Sequence, residues 1–399
     1  MTPDGPEPDT DAIDDGGSSL IAQGGKIDQA AVLRFFESAG DDERPTVRFV
    51  LQRDRQTRLD KYLTTRIGFM SRTQIQRLID DGDARINGSP AKASVKVREG
   101  DVVEVTLPAP PTGEIIPEDI PVDALFEDAR LIVLNKQADI IVHPARSEKS
   151  GTLINALAHR FANVSGGSLS AVGTEFARPG VVHRLDRNTT GCIVFAKDDE
   201  THWKLGRQFE HRTVDKRYLA LVHGRVEPDA QVIEVPVGPS PSKAKGAREK
   251  QVVRHDDLGK HAITICRVRE RYRLSDRGSA VGDEHRTLVE LELKTGRTHQ
   301  IRVHLAHLGY PIVGDDMYGG RAHLNDRGEP VFARQALHAG LLAFEHPATG
   351  EPAVFCAPVP EDLRAVISDL RARSGGGERV HIQGTVPLVR FDIGEQDPG

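Results

Sequence analysis

Two hydrophobic periods sort this chain into segments. Between Thr57 and Leu107, "RLDKYLTTRIG" places Leu59, Tyr62, Leu63 and Ile67 at the three-and-four spacing of a helix face, with Arg58, Lys61 and Arg66 beside them. Ser71 then caps a second helix, with Gln74 three residues on to close a capping box. Ile75, Leu78 and Ile79 form that helix's apolar face and Gly82 ends it. The pattern changes to the two-residue period of strands in "ARINGSP", with its Asn-Gly turn, in "VKV" and in "GDVVEVTL". The spacing predicts a small αβ unit over residues 57–107. Arg72 and Arg77 lie on the helix that enters its sheet, and spacing alone leaves them equally compatible with plain solvation.

A larger unit is predicted over residues 121–373. Strands are signalled at "ALFED", "LIVLNK", "GCIVFAK", "KRYLALVHG", "HAITICRV" and "TLVELEL". Helices are signalled at "TLINALAHRFA", "DDETHWKLGRQFEH", "HQIRVHLAHLG" and "PEDLRAVISDLRAR". Strands and helices do not alternate evenly. The pattern therefore predicts an α+β domain with a mixed, largely antiparallel central sheet flanked by helices, and speaks against a doubly wound dinucleotide fold. No GxGxxG follows a strand and no Walker motif is present, so no nucleotide cofactor is expected.

The flanks differ in composition. Residues 1–44, rich in Asp, Gly, Pro and Ser, are expected to be disordered apart from a short helix around "DQAAVLRFFESAG". "LPAPPTGEIIPEDIP" reads as a Pro-rich linker over residues 108–120. Residues 374–399 are expected to wrap loosely or fray.

Charge follows this division. The chain has 399 residues and a net charge of −6. Residues 1–43 carry eleven acids and two bases, so the remainder is mildly basic at +3. An acidic leader thus precedes a body able to meet a polyanion. Cys192, Cys266 and Cys356 are odd in number and widely spaced, which is neither a disulfide framework nor a zinc pattern and suits a reducing, cytoplasmic setting. No apolar run approaches a membrane span, and the N-terminus lacks a secretory pattern.

Four stretches carry candidate chemistry. "HRLDRNTTG" sets Asp186 between Arg184 and Arg187, whose charges favour an ionised carboxylate, and ends at Gly191; alone, it fits a capped turn as well as a site. "KRYLALVHG" is a strand with Tyr218 on one face, where a core role is the default. "ELELKTGRTHQIRVH" turns from strand to helix at Arg297, a place from which an arginine can fork onto a carboxylate. "LGYPIVGDDMYGG" is rich in turn residues. "GPSPSKAKGAREKQV" reads as a flexible basic loop through Lys243, Lys245, Arg248 and Lys250. His299 and His304 are five apart, a poor fit to a zinc helix, and His183 with Asp186 offers too few ligands, so no metal is expected.

Two resemblances join these pieces. Residues 57–107 resemble the αL RNA-binding domain first known from ribosomal protein S-four, which implies that Arg58, Lys61, Arg72 and Arg77 meet RNA phosphates. The four stretches, in order and spacing, resemble the RluA-like family of pseudouridine synthases. That resemblance implies the pseudouridine synthase fold, Asp186 as the catalytic residue, and Arg184 filling the space left by an extruded base. It also implies Tyr218 on the uracil and Arg297 paired with Asp186. Thr190 stands where members commonly have Ser, and keeps the hydroxyl. The implied reaction isomerises uridine without water, redox partner or cofactor, so one carboxylate suffices where hydrolytic glycosidases use two. The implied partner is RNA, with large-subunit ribosomal RNA expected ahead of transfer RNA; a non-catalytic RNA-binding or ribosome-assembly factor on the same scaffold is the other reading. A monomer is expected.

Overall fold

The structure is a computed structural model in which residues 20–22, 24–38, 44–108, 115–144, 150–172, 178–242, 250–274, 284–325 and 327–394 are described. It divides between residues 114 and 115 into two compact units.

The first unit is built around helices α2 (Leu59–Arg66) and α3 (Arg72–Asp80). The predicted capping box is present: Ser71 accepts from the Gln74 amide while the Gln74 side chain accepts from the Ser71 amide. Leu59, Tyr62, Leu63, Ile75 and Ile79 are buried together with Val103 and Val105 of the sheet. Two parts of this unit lie outside residues 57–107. Helix α1 (Gln29–Ser38), capped by Asp28, buries Ala31 and Val32 in the same core as Leu20 and Ile27. Strand β1 (Thr46–Val50) pairs with β3 (Val102–Thr106), which pairs in turn with β2 (Ala84–Ile86). The short helix expected here is present, and residues 20–22 and 24–28 before it pack as well rather than remain a disordered leader, because Leu20 and Ile27 join the αL core. Arg66 is buried over the rings of Phe49 and Tyr62 and donates to the Gly25 carbonyl, tying that segment down. Residues 1–19 lie outside the described residues.

The second unit holds a ten-stranded mixed sheet. Its strands are β4 (Asp123–Glu127), β5 (Leu131–Lys136), β6 (Thr190–Ala196), β7 (Asp215–His223), β8 (Ala230–Glu234), β11 (Ile263–Leu274), β12 (Glu284–Leu293), β13 (Leu337–Glu345), β14 (Pro352–Cys356) and β15 (Glu378–Arg379). The main order is β8-β11-β12-β7-β13-β6-β5-β4, with β14 on β13 and β15 on β11; a separate hairpin pairs β9 (Val237–Pro239) with β10 (Gln251–Val253). Every pairing in the large sheet is antiparallel except β13 with β6. Helices α4 (Leu153–Arg160), α5 (Asp199–Glu210), α6 (Gln300–His307) and α7 (Glu361–Arg373) match the predicted segments.

Strand β13, central to this sheet, carries no strand signal in the sequence. "LHAGLLAFE" is rich in Ala, Gly and Leu, which local propensity does not assign to strands. Gly340 within it lies under the Phe391 ring, where an added Cβ would approach to 2.6 Å. Phe391 and Ile393 are themselves buried, so the segment after Ser374 packs into the core through residue 394 instead of fraying. No helix among the described residues is long and apolar enough to cross a membrane.

Candidate active site

A cavity of about 470 Å³ in the second unit gathers Arg184, Asp186, Tyr218, Arg297, His299 and Arg302. Asp186 sits in the loop that enters β6, Tyr218 on β7, and the last three where the chain leaves β12 and begins α6. These six residues come from three stretches far apart in sequence; the sheet order brings them together.

The loop bearing Asp186 is held from several sides. Lys136, fully buried at the end of β5, donates its Nζ to the carbonyls of Gln137 (2.9 Å), Arg187 (2.7 Å) and Thr189 (2.9 Å). Burial, partly offset by the Asp186 charge, lowers its pKa to about 7. Arg334 donates to the Asn188 carbonyl and Gln335 to the Thr189 hydroxyl. The loop ends at Gly191, where the parallel register sets β6 against β13. There φ is +107° and a Cβ would meet the Ala339 carbonyl at 2.2 Å, so only glycine fits. The Thr190 hydroxyl lies 2.9 Å from His338 Nδ1.

Asp186 Oδ2 accepts from Arg302 Nη1 at 3.1 Å. Arg302 is aimed by Asp315, which is 1% exposed and takes its other two donors, Nε at 2.7 Å and Nη2 at 2.8 Å. Burial works against the Arg302 charge, but the Asp315 bonds and the charges of Asp315 and Asp186 outweigh it and raise its pKa. The Tyr318 ring lies 4.9 Å from the guanidinium carbon.

This corrects the expected partner of Asp186. Arg297 lines the cavity but turns aside, its Nε on the His261 carbonyl at 3.1 Å. The Gln300 side chain explains the difference: Oε1 accepts from the Arg297 amide and the Thr295 hydroxyl, while Nε2 donates to Ile263 and Thr264. The turn is thus pinned before α6 begins, and the inward face of α6 presents Arg302 instead. The sequence signal was an arginine isolated among apolar positions of a helix, "QIRVHL", which a search for junction arginines passes over.

Tyr218 is 8% exposed, and sits where the β7–β13 register shifts between Arg217 and Leu219. Burial, reinforced by the Asp186 charge, pushes its phenol well above the usual range, so it is a neutral hydroxyl at physiological pH. His183 accepts from the Val194 amide and stacks on Phe209 at 4.6 Å; burial first, then Lys216, lowers its pKa to about 3. It braces the loop and stays uncharged at neutral pH.

The cavity mouth is cationic. Arg184, Arg212 and Lys216 line it; among the described residues none of the three forms an ion pair, although the Asp215 charge also acts on Lys216. Burial and Arg212 lower the Lys216 pKa, and burial and Arg184 lower that of Arg178 nearby. A surplus of cations at a cavity rim suits an anionic ligand. Among the described residues no group of three or more His, Cys, Asp or Glu side chains could hold a metal ion. Lys243, Lys245 and Arg248 of the basic loop lie outside the described residues; Lys250 lies over the Tyr318 ring.

In the first unit, Asp60 is buried and gathers Arg58, Arg72 and Gln76. Burial opposes its charge, but these bonds outweigh burial and hold its carboxyl well below the usual range. Both arginine side chains stay over 40% exposed, so they can still face a ligand, pre-oriented by the buried carboxylate. Lys61 and Arg77 are exposed.

The cavity, the loop before β6 and the αL unit define an RNA-modifying isomerase, and comparison with known proteins agrees. The family model described as RNA pseudouridylate synthase matches residues 130–307, and the S4 domain model matches residues 57–103. The chain belongs to the RNA pseudouridine synthase family. It is 39% identical over 320 residues to the uncharacterized RNA pseudouridine synthase YlyB of Bacillus subtilis, covering 80% of this chain and 96% of that protein. It is also 39% identical to the ribosomal large subunit pseudouridine synthase D of Xanthomonas campestris, covering 79% of this chain and 90% of that protein. A solved structure, human RNA pseudouridylate synthase domain containing 1, aligns over 69% of this chain and 96% of its own at 24% identity, with a TM-score of 0.47.

Proposed function

We propose that this enzyme converts uridine to pseudouridine in large-subunit ribosomal RNA, with Asp186 acting at the ribose of a nucleotide drawn into the cavity. The observation that carries the reading is the buried Asp315–Arg302–Asp186 chain, which fixes one carboxylate oxygen at the floor of a cation-rimmed cavity beside Tyr218. The ribosomal substrate is supported by the αL unit and by the names of relatives such as the Xanthomonas protein.

The chemistry asks little of the protein beyond placement. The bond from the ribose anomeric carbon to N1 breaks, the uracil turns, and C5 bonds to the same carbon; C5 loses a proton and N1 gains one. Nothing else enters or leaves. The Asp186 carboxylate serves either as a nucleophile on the anomeric carbon or as the base that removes the proton from the adjoining carbon and later returns it, and both roles place it at the same end of the ribose. Arg302 keeps one oxygen engaged and leaves the other, Oδ1, for the sugar. The Tyr218 ring offers the uracil a stacking surface while its neutral hydroxyl can donate a hydrogen bond. Arg184 at the mouth fills the gap from which the base is drawn. Arg178, Arg212 and Lys216 take backbone phosphates.

Site-resolved pseudouridine mapping of ribosomal and transfer RNA, with and without this gene, tests the reading. Loss of specific large-subunit sites on deletion is expected, with rescue by the wild-type chain and none by Asp186→Asn. Lost sites confined to transfer RNA would overturn the substrate, and rescue by Asp186→Asn would overturn the role of the carboxylate.

A further inference from the structure

The activity leaves one constellation beside Asp186 unused. His299, at the start of α6, adopts a left-handed backbone with φ +55°, which a side chain-bearing residue holds only under constraint. Its Nε2 lies 3.8 Å from Asp186 Oδ2, too long for a hydrogen bond in this state. Its Nδ1 lies 2.9 Å from the Tyr318 hydroxyl, whose oxygen also accepts from the Gln251 amide of β10 at 2.9 Å.

These contacts fix where the imidazole proton sits. Burial raises the Tyr318 pKa to about 12, so its hydroxyl keeps its proton, and burial lowers the His299 pKa, so the ring is neutral at physiological pH. The neutral ring has one N–H. If Nδ1 carried it, the Tyr318 oxygen would accept twice, its own proton would find no acceptor among the described residues, and the bare Nε2 lone pair would face a carboxylate. If Nε2 carries it, Tyr318 donates to Nδ1, accepts from Gln251, and an N–H points toward Asp186. Every group is then satisfied.

We propose that His299 is a positioning residue for the reaction: Tyr318 locks its ring as the Nε2–H tautomer, and that N–H becomes the second donor, after Arg302, that aims Asp186 at the ribose. The inference rests on the reading of Asp186 given above. The 3.8 Å gap closes when substrate fills the cavity, as catalytic hydrogen bonds commonly tighten in the complex. The lock also joins the site to the basic hairpin. Gln251 supplies its amide to Tyr318, and Lys250 lies 5.4 Å from the Tyr318 ring, so the strand that follows the basic loop seats the ring that orders the histidine. The charged groups around His299 are Asp186, Arg302, Asp315 and Arg184.

The test uses the full chain and has two readouts. Nitrogen-15 spectra of histidine-labelled protein, with the His299 signals assigned by their loss in His299→Gln, report the tautomer without any RNA. The Nε2–H form is expected, with loss of a single tautomer in Tyr318→Phe; an Nδ1–H form in the wild type overturns the proposal. Turnover is then measured on transcribed large-subunit ribosomal RNA. His299→Asn tolerates the left-handed backbone but places its amide at the Nδ1 position, and is expected to lower kcat about tenfold or more with KM unchanged. His299→Gln places an N–H near the Nε2 position and is expected to recover most of kcat. Wild-type kcat in His299→Asn, or equal loss in both variants, overturns the proposal. Failure of the wild-type chain to modify that RNA would instead strike the substrate reading, leaving the tautomer result to decide the lock.

Discussion

Arg302→Lys separates charge from geometry at the centre of the site. The Arg302 guanidinium gives Nε and Nη2 to Asp315 and Nη1 to Asp186. A lysine ammonium keeps the positive charge but offers its donors from one atom, so it cannot fork onto Asp315 and reach Asp186 together. Asp315, 1% exposed, holds the stronger claim on it because a buried carboxylate left unpaired is the costlier outcome. The bond to Asp186 is therefore the one lost. A hydrogen bond to a charged group contributes ~1.5–3 kcal/mol, which corresponds to roughly 10- to 150-fold in rate if it acts in the transition state. The assay is single-turnover pseudouridine formation, read by nucleoside chromatography well below the melting temperature of each variant. Arg297→Lys is the matched control: its guanidinium bonds a carbonyl at an exposed position, and its rate should stay near wild type. If Arg302→Lys keeps the wild-type rate, or if the two variants fall alike, Arg302 does not hold the carboxylate for chemistry.

Lys136→Met leaves the carbonyls of Gln137, Arg187 and Thr189 without their shared donor. Unsatisfied buried groups cost ~1–3 kcal/mol each, so both melting temperature and kcat should fall; an unchanged melting temperature would refute the anchoring role. Buried His183, His304 and His338 have pKa values lowered by burial from 6.5 to about 3, about 4 and about 4. The unfolded chain binds those protons first, so stability is full above pH 6.5 and falls with pH toward 4, a loss that denaturant melts across that window should record. A flat profile there would show that the imidazoles protonate without unfolding the chain. In the αL unit, Lys61→Ala with Arg77→Ala should weaken RNA binding and flatten the slope of log affinity against log salt by about 1.5, as expected for two lost phosphate contacts. Filter binding at several salt concentrations measures it, and an unchanged slope would remove both residues from the interface.

How much of this was legible in the sequence depends on the range of the interaction concerned. The helices were, because capping and apolar spacing act within a few residues: the Ser71–Gln74 box and the Ile75, Leu78, Ile79 face stand as read. The motif and its companions in order singled out Asp186, which the structure places in the cavity. Strand β13 was not legible, because "LHAGLLAFE" becomes a strand only when β7 and β6 claim its two edges and Phe391 covers Gly340. The short helix over residues 29–38 was legible, but that Leu20, Ile27, Ala31 and Val32 cover the αL core was not, since that burial exists only once the αL surface is there to receive them. The partner of Asp186 was the sharpest of these. The family resemblance implied Arg297, and the turn pinned by Gln300 chose Arg302, because a carboxylate's partner is set by which face of α6 meets a loop 116 residues earlier. Local period and residue type were enough for the helices, most of the strands and the chemical types at the site. Only the tertiary structure decided that Arg302 meets Asp186 and that buried Asp315 aims Arg302, since those contacts join segments that no local period records.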